Sequence, residues 1–298
     1  MVEAGACCER AGWRNLPRVD AAVENRSTSG VDFMVGTHRV SHELPGILGR
    51  RARSDRGTHG DGIMDERWVF CLVVWGLHEV AFFATWALFS ALHRSEFAPR
   101  FRVAGGKAPP SELSSRAVGE VLRGHAVLLP ATAFLFYPAW AFMGGSAGAP
   151  GPSLVDVVWQ LVVCILVQDT LFYWAHRWLH TPRAFRAIHR KHHDFRYVRG
   201  YSAEYAHPLE LLVNTASFVL PAILLGTHLI TFGVWMTIRV CETVAAHSGY
   251  AFSTIASRHA YHHLYASRGC LGSFFGVWDW LMGTDKHWRA WRKTQTHR

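Results

Sequence analysis

Residues 176–193 read HRWLHTPRAFRAIHRKHH and hold five histidines, His176, His180, His189, His192 and His193, directly behind a long apolar run. The four-residue step from His176 to His180 sets both imidazoles one turn apart on one helix face. His189 precedes His192 and His193 by three and four residues, so at least two of that trio share a face as well. A second HxxHH cluster, His259-Ala-Tyr-His262-His263, follows near the C-terminal end. A single histidine on an apolar face is more often a hydrogen-bonded core residue than a ligand. Eight in three tight clusters are different, because neutral imidazole offers a metal one sp² nitrogen. A structural zinc takes four protein ligands and a catalytic one three. Eight histidines therefore imply either two metals or one metal with many idle rings, and the ligand number favours two.

The spacing also excludes chemistry. A zinc-protease HExxH helix needs Glu directly after its first histidine, and Arg177 stands there. Soluble di-iron bundles use Glu-x-x-His motifs, and these boxes contain no carboxylate. An imidazole shell carries little negative charge, so its metal stays strongly electrophilic and suited to attacking an unactivated C–H bond. Zinc, copper, iron and nickel all accept imidazole, so ligand type leaves the metal open. No G-x-G-x-x-G turn opening a helix, Walker sequence or G-x-S-x-G elbow is present. Redox chemistry here would draw its electrons from a partner.

The elements that must position these clusters are membrane helices. The first ~66 residues are polar and Gly- and Arg-rich, and the rest alternates apolar runs with basic, His-rich loops. Thirteen Trp and eighteen Phe suit interfacial aromatic belts. A net charge of +9 raises nucleic acid, but the basic residues sit beside apolar runs (Arg177, Arg183, Arg186, Arg190, Lys191, Arg196, Arg199), as in loops held on the cytoplasmic face. Residues 1–66 lack the apolar core of a secretory signal and read as a disordered tail, with an artefactual start or a weak targeting arm as alternatives. Spans are expected at 68–92, interrupted by His78 and Glu79, at about 125–143 with Pro130 and Pro138, and at 154–174. An intramembrane His–Glu pair reads as a mutual hydrogen bond inside the bundle, or as a contact to substrate. The last apolar stretch, 211–244, is broken by Pro221 and Gly226, which allows one crossing or a hairpin that returns His247 to the histidine side. The Trp-rich segment 259–298 is expected to lie as an amphipathic cap at the interface. The six cysteines form no CxxC and read as reduced thiols. The fold class is all-α, with about four polytopic spans or a span set with a hairpin, under a cytosolic histidine-rich helical cap.

Between the boxes, the pieces 168–180 (QDTLFYWAHRWLH), 189–195 (HRKHHDF), 203–210 (AEYAHPLE), 237–250 (TIRVCETVAAHSGY) and 278–285 (WDWLMGTD) make the chain resemble the fatty acid hydroxylase and sterol desaturase superfamily. The likeness covers about 125–290, and AEYAHPLE and ETVAAHSGY resemble its sterol C4-methyl oxidases. That resemblance implies a membrane oxygenase domain over 67–298 and two non-haem irons held by His176, His180, His189, His192, His193, His259, His262 and His263. It adds His247 as a further ligand and His207 as a weaker candidate that could instead be a hydrogen-bond donor beside the ligands. Asp169, Glu204, Glu210 and Glu242 would accept from imidazole N–H groups or pair with Arg177, Arg239 or Arg258. It further implies O2 as co-substrate, electrons from NAD(P)H through cytochrome b5 or a similar donor, a sterol or other lipid substrate, and residence in the endoplasmic reticulum membrane. The reaction would carry a sterol C4 methyl to alcohol, aldehyde and carboxylate. The chain departs from the family at Ala251 and Ala260, where acidic residues are usual, at 269–273 (GCLGS), and in having Gln295 and Thr296 where relatives carry a retrieval lysine. A histidine-rich metal transporter is the competing class. Transport sites sit near the bilayer midplane, whereas these clusters follow helix ends.

Overall fold

Four segments form helices both long and apolar enough to cross a bilayer, and a fifth, slightly shorter one completes a hairpin. The computed structural model describes residues 65–295 apart from Glu96, Ala98, Ser267 and Arg268. The expected tail therefore lies outside the described residues, except that Asp65 caps and Glu66 opens helix α1, Glu66–Arg94. The others are α2, Ser111–Phe142; α3, Leu154–Leu179; α4, Pro208–Leu224; and α5, Leu229–Ala246. No strand occurs among the described residues, and only one isolated bridge joins Arg102 to Tyr250.

Local chemistry fixes the helix ends. Asp65 accepts from the Arg67 amide and Ser153 from the Asp156 amide, each satisfying an orphan donor in a first turn. Pro208 occupies the first turn of α4, where a missing N–H costs nothing. The α2 helix starts at Ser111, well before the expected 125. The polar residues 111–123 have both an amphipathic period and a place to bury Ala117 and Val121, so the helix runs on through them. A π-turn at Gly124–Leu128 precedes Pro130, whose ring would clash with the carbonyl four residues earlier in a regular helix.

Contacts give each helix its direction. The helices α1 and α5 run side by side in the same sense, with Phe70 against Phe232 near one end and Thr85 donating to Cys241 at 3.3 Å nearer the other. The α2 helix returns, bringing Trp140 Nε1 to Thr227 O at 2.8 Å. The α4 helix also leaves the histidine side, and its 17 residues span about 26 Å at 1.5 Å per residue. The 211–244 stretch is thus the hairpin. Its turn needs Gly226, whose φ is +55° and where an added Cβ would lie 2.2 Å from Met143 O.

Two apolar clusters hold the bundle. One joins Phe70, Trp140, Cys164, Phe232 and Trp235 at the far end, and the other joins Phe82, Val121, Phe195, Met236 and Val244 toward the histidines. Cys71, Cys164, Cys241 and Cys270 are free thiols. The C-terminal segment differs from the simple interfacial cap expected. Trp288 is buried with Tyr261 and Cys270, and its Nε1 donates to Ser257, so this end braces the helix that carries the last histidine box.

Candidate metal centre

The three boxes arrive on different backbones. His176 lies in the last turn of α3 and His180 caps its end. His189, His192 and His193 ride a 3-10 helix, His189–Asp194. His259, His262 and His263 lie on α6, Thr254–Leu264, and His247 caps α5. They assemble into two adjoining chambers. One is walled by His176, His180, His189, His193 and His262, and the other by His192, His247, His259 and His263, with the ligand atoms of each chamber within 4.8 Å of one another.

This partition explains the HxxHH spacing. In each box the outer pair, four residues apart, faces one chamber while the middle histidine faces the other. His189 and His193 enter the first and His192 the second; His259 and His263 enter the second and His262 the first. Neighbouring histidines point away from each other along a helix, so a single box can wall two sites. The rings stay close, with His192 and His193 centroids 5.8 Å apart and those of His193 and His263 4.7 Å apart.

Hydrogen bonding decides what these chambers can hold. Six rings turn Nδ1 toward an acceptor: His176 to Leu271 O (2.9 Å), His192 to Tyr205 O (3.2 Å), His247 to Thr243 O (2.8 Å), His262 to Gly269 O (2.9 Å), His263 to Phe195 O (3.0 Å), and His189 to Glu210 Oε1 (2.8 Å). Carbonyls and carboxylates accept, so Nδ1 carries the proton and Nε2 of a neutral ring carries the lone pair. Those Nε2 atoms face one another: His176 and His189 at 3.1 Å, and His247 and His192 at 3.2 Å. Lone pairs converging this closely repel unless a cation lies among them, so the donor set fits metal. Burial also keeps the rings neutral. It depresses His192 and His262 to about 4, and with neighbouring rings carries His193, His259 and His263 well below the ordinary imidazole value.

The other expected residues sit elsewhere. His207 is in neither chamber, because its Nδ1 accepts from the Leu209 amide at 3.2 Å and caps α4. Of the four carboxylates, Glu210 meets a box imidazole. Asp169 lies seven residues before His176, about 10 Å down the helix axis, and instead accepts from the Phe275 amide at 3.3 Å. Glu242 pairs with Arg239 and accepts from Ser273. Glu204 binds His78 (3.0 Å) and His125 (2.9 Å), and these three form another close-set group. Glu79 pairs with His125 at 3.0 Å and with His78 at 3.5 Å, so the expected mutual His78–Glu79 contact is one link of a four-residue ring. Sequence reading passed over His125, whose only signal was an ionisable residue at the edge of an apolar run. The backbone acceptors carry no side-chain signature at all.

A cavity of about 890 Å³ reaches the chambers from within the bundle, touching His176, His189, His192, His247 and His259. Its walls include Val74, Phe136, Phe218, Phe232 and Met236. Its lining also includes the exposed apolar Val127 and Leu135 of α2 and Leu209 and Leu212 of α4, so it opens sideways between those helices.

A bundle of membrane-crossing helices, an apolar cavity open on its flank and a double shell of imidazoles define a multi-pass membrane protein with a polyhistidine centre built for metal. The fatty acid hydroxylase family model matches residues 161–284, a range that holds all nine chamber histidines. The chain is 36% identical to the very-long-chain aldehyde decarbonylase GL1-11 of Oryza sativa subsp. indica, over 73% of this chain and 86% of the relative. It is 34% identical to methylsterol monooxygenase 2-1 of Arabidopsis thaliana, over 74% and 89% of the two chains. It is 29% identical to the C-4 methylsterol oxidase erg25 of Schizosaccharomyces pombe, over 72% and 77%. The protein belongs to the fatty acid hydroxylase family and is an oxygen-dependent oxidoreductase of the membrane. No solved structure matches the chain.

Proposed function

We propose that residues 67–298 form a non-haem di-iron monooxygenase that oxidises the C4 methyl group of a sterol in stages to alcohol, aldehyde and carboxylate. The observation that carries the reading is the apolar cavity, open to lipid between α2 and α4 and ending on the two histidine chambers. The sterol assignment draws on the AEYAHPLE and ETVAAHSGY pieces and on the methylsterol monooxygenase relatives. One iron is held by His176, His180, His189, His193 and His262, and the other by His192, His247, His259 and His263. Two irons so held would supply activation of O2, with two electrons from the donor and two protons leaving one oxygen on carbon and the other in water.

The protein's share is placement. The main-chain carbonyls of Leu271, Tyr205, Thr243, Gly269 and Phe195 lock five rings in the tautomer that offers Nε2. Glu210 does the same for His189 and adds a negative charge against the cationic centre. Phe136, Phe218, Phe232 and Met236 keep water from the reacting carbon and hold the lipid body in register. Electrons come from NAD(P)H through cytochrome b5 or a similar acidic donor, for which the exposed Arg183, Arg186, Arg190 and Arg196 beside the chambers offer a cationic surface. The far-side loops 144–153 and 225–228 contain no Lys or Arg, which supports histidines facing the cytosol from the endoplasmic reticulum membrane.

Expression in a yeast lacking its C4-methyl oxidase, with sterol profiling by mass spectrometry, tests the reading. Loss of the 4,4-dimethyl sterol is expected, and its persistence beside well-expressed, metal-loaded protein refutes the substrate. The 36% identity to aldehyde decarbonylases supports a second reading, conversion of a long-chain aldehyde. Hydrocarbon released from a supplied long-chain aldehyde would select it.

A further inference from the structure

Near the chambers the cavity wall turns from apolar to charged. Phe232, Met236, Arg239, Thr243 and His247 line it from α5 at steps of three or four residues, so they share one side of that helix. Arg239 thus stands between the apolar body of the cavity and a chamber histidine. Its guanidinium carbon lies 5.5 Å from the centre of the Phe172 ring, and that ring is 5.2 Å from the His176 ring. One aromatic ring therefore separates Arg239 from the other chamber. Arg239 donates through Nη1 to Glu242, whose other oxygen accepts from Ser273 at 3.4 Å. The remaining donors are open. The Arg239 side chain is 12% exposed, and its Nε and Nη2 make no hydrogen bond among the described residues, yet neither atom is sealed. The Thr243 hydroxyl, one turn on, is likewise accessible and without a hydrogen bond among the described residues. An ion pair that served only to brace α5 would close its donors, because an unused guanidinium N–H against apolar walls is costly. A cation beside chambers built for cations is also repelled by their contents. A ligand bringing oxygen lone pairs to this point offsets both costs.

We propose that Arg239, with the Thr243 hydroxyl beside it, binds the oxidised end of the substrate: a carbonyl or carboxylate oxygen on the carbon that has been oxidised. With Nη1 engaged by Glu242, the free edge is Nε with Nη2, whose parallel N–H groups match the two oxygens of a carboxylate. A methyl group offers this edge nothing, an alcohol or aldehyde offers one acceptor, and a carboxylate offers two. Affinity at this point therefore rises with each stage of oxidation. Alcohol and aldehyde stay beside the centre for the next stage instead of returning to the bilayer. The inference deepens the proposed function and rests on it for the staged oxidation, but binding is read without turnover.

The test is equilibrium binding to the full chain in nanodiscs without reductant, by competition against a fluorescent lipid, with metal content measured for each variant. Two pairs of competitors are used: a 4-methyl sterol with its 4-carboxylate, and hexadecane with hexadecanoate. The readout is the ratio of carboxylate to parent affinity. Arg239→Gln with Glu242→Gln removes both charges of the pair. Losing Glu242 alone would favour an anion, so a fall in the ratio reports Arg239. That double variant should lower the ratio about tenfold or more in at least one pair, as loss of a hydrogen bond to a charged group does, with metal retained. Arg239→Lys keeps the charge without the fork and should fall between. Should the double variant lose metal, Arg239→Lys carries the test, and a lowered ratio with metal retained is then required. A ratio unchanged in both pairs overturns the proposal and assigns carboxylate binding to the metal. Metal lost from both variants overturns it in favour of a structural ion pair. A fall confined to the hexadecanoate pair keeps the Arg239 site and refutes the sterol.

Discussion

Removing the charge from Glu210 should loosen one chamber and leave the other untouched. Glu210 is 1% exposed, its Oε1 accepts from His189 Nδ1 at 2.8 Å, and its Oε2 has no partner among the described residues. A net-negative group so enclosed is tolerable only beside positive charge, which a metal held by His189 would provide. Hydrogen bonds to charged groups contribute about 1.5–3 kcal/mol and neutral ones about 0.5–1.5 kcal/mol. Glu210→Gln keeps an acceptor but forfeits the charge, a loss of about 1–1.5 kcal/mol, or close to tenfold in metal dissociation. Glu210→Ala removes the bond and orphans the His189 N–H, adding about 1–3 kcal/mol and weakening the site about a hundredfold or more. The assay is iron retention by the full chain against graded chelator, read by mass spectrometry. Release should be biphasic. The phase assigned to His176, His180, His189, His193 and His262 should move in the order wild type, Gln, Ala, while the other stays fixed. Movement of both phases together, or of neither, would refute the assignment of His189 and Glu210 to one chamber.

Other substitutions probe the supports. Gly269 has φ +89° and an added Cβ would fall 1.8 Å from Thr284 O, so Gly269→Ala should displace the carbonyl that holds His262 and deplete metal in the purified protein. His207→Ala should leave metal content unchanged and cost only a helix cap, about 1 kcal/mol by thermal melting. For Glu204, burial alone would raise the carboxyl, but the charge of His78 and hydrogen bonds from His125 and His78 hold it well below its ordinary 4.5. A carboxyl depressed in the folded state contributes stability that is present above 4.5 and lost as pH falls below it. The melting-temperature gap between wild type and Glu204→Gln should therefore narrow as pH falls below about 4.5. A gap unchanged down to pH 3 would count against the ring.

Periodicity and spacing made the broad architecture readable, because both are local. Apolar runs announced the crossings, whereas Pro221 and Gly226 left one crossing or a hairpin equally open. The start of α2 was missed because its polar prelude is helical only through packing of Ala117 and Val121. Clustered histidines announced metal, yet how each HxxHH box divides between chambers depends on where three separate backbones meet. The same holds for His125 and Glu204, which lie 79 residues apart and touch only in the folded bundle. Asp169, Glu204 and Glu242 are the right residue type near the right motifs, but each finds a partner the sequence could not rank. Glu210 is the one that reaches a box imidazole.

The carbonyls that orient five of the imidazoles have a further consequence. A carbonyl belongs to the backbone, so substituting Phe195, Tyr205, Thr243 or Leu271 alters a side chain and leaves the acceptor in place. Gly269 is the exception, since its conformation admits no other residue cheaply. The loops that aim the rings can thus vary in side-chain chemistry while the aim persists. The architecture lets a lineage rewrite what it recognises without reinventing how it holds metal.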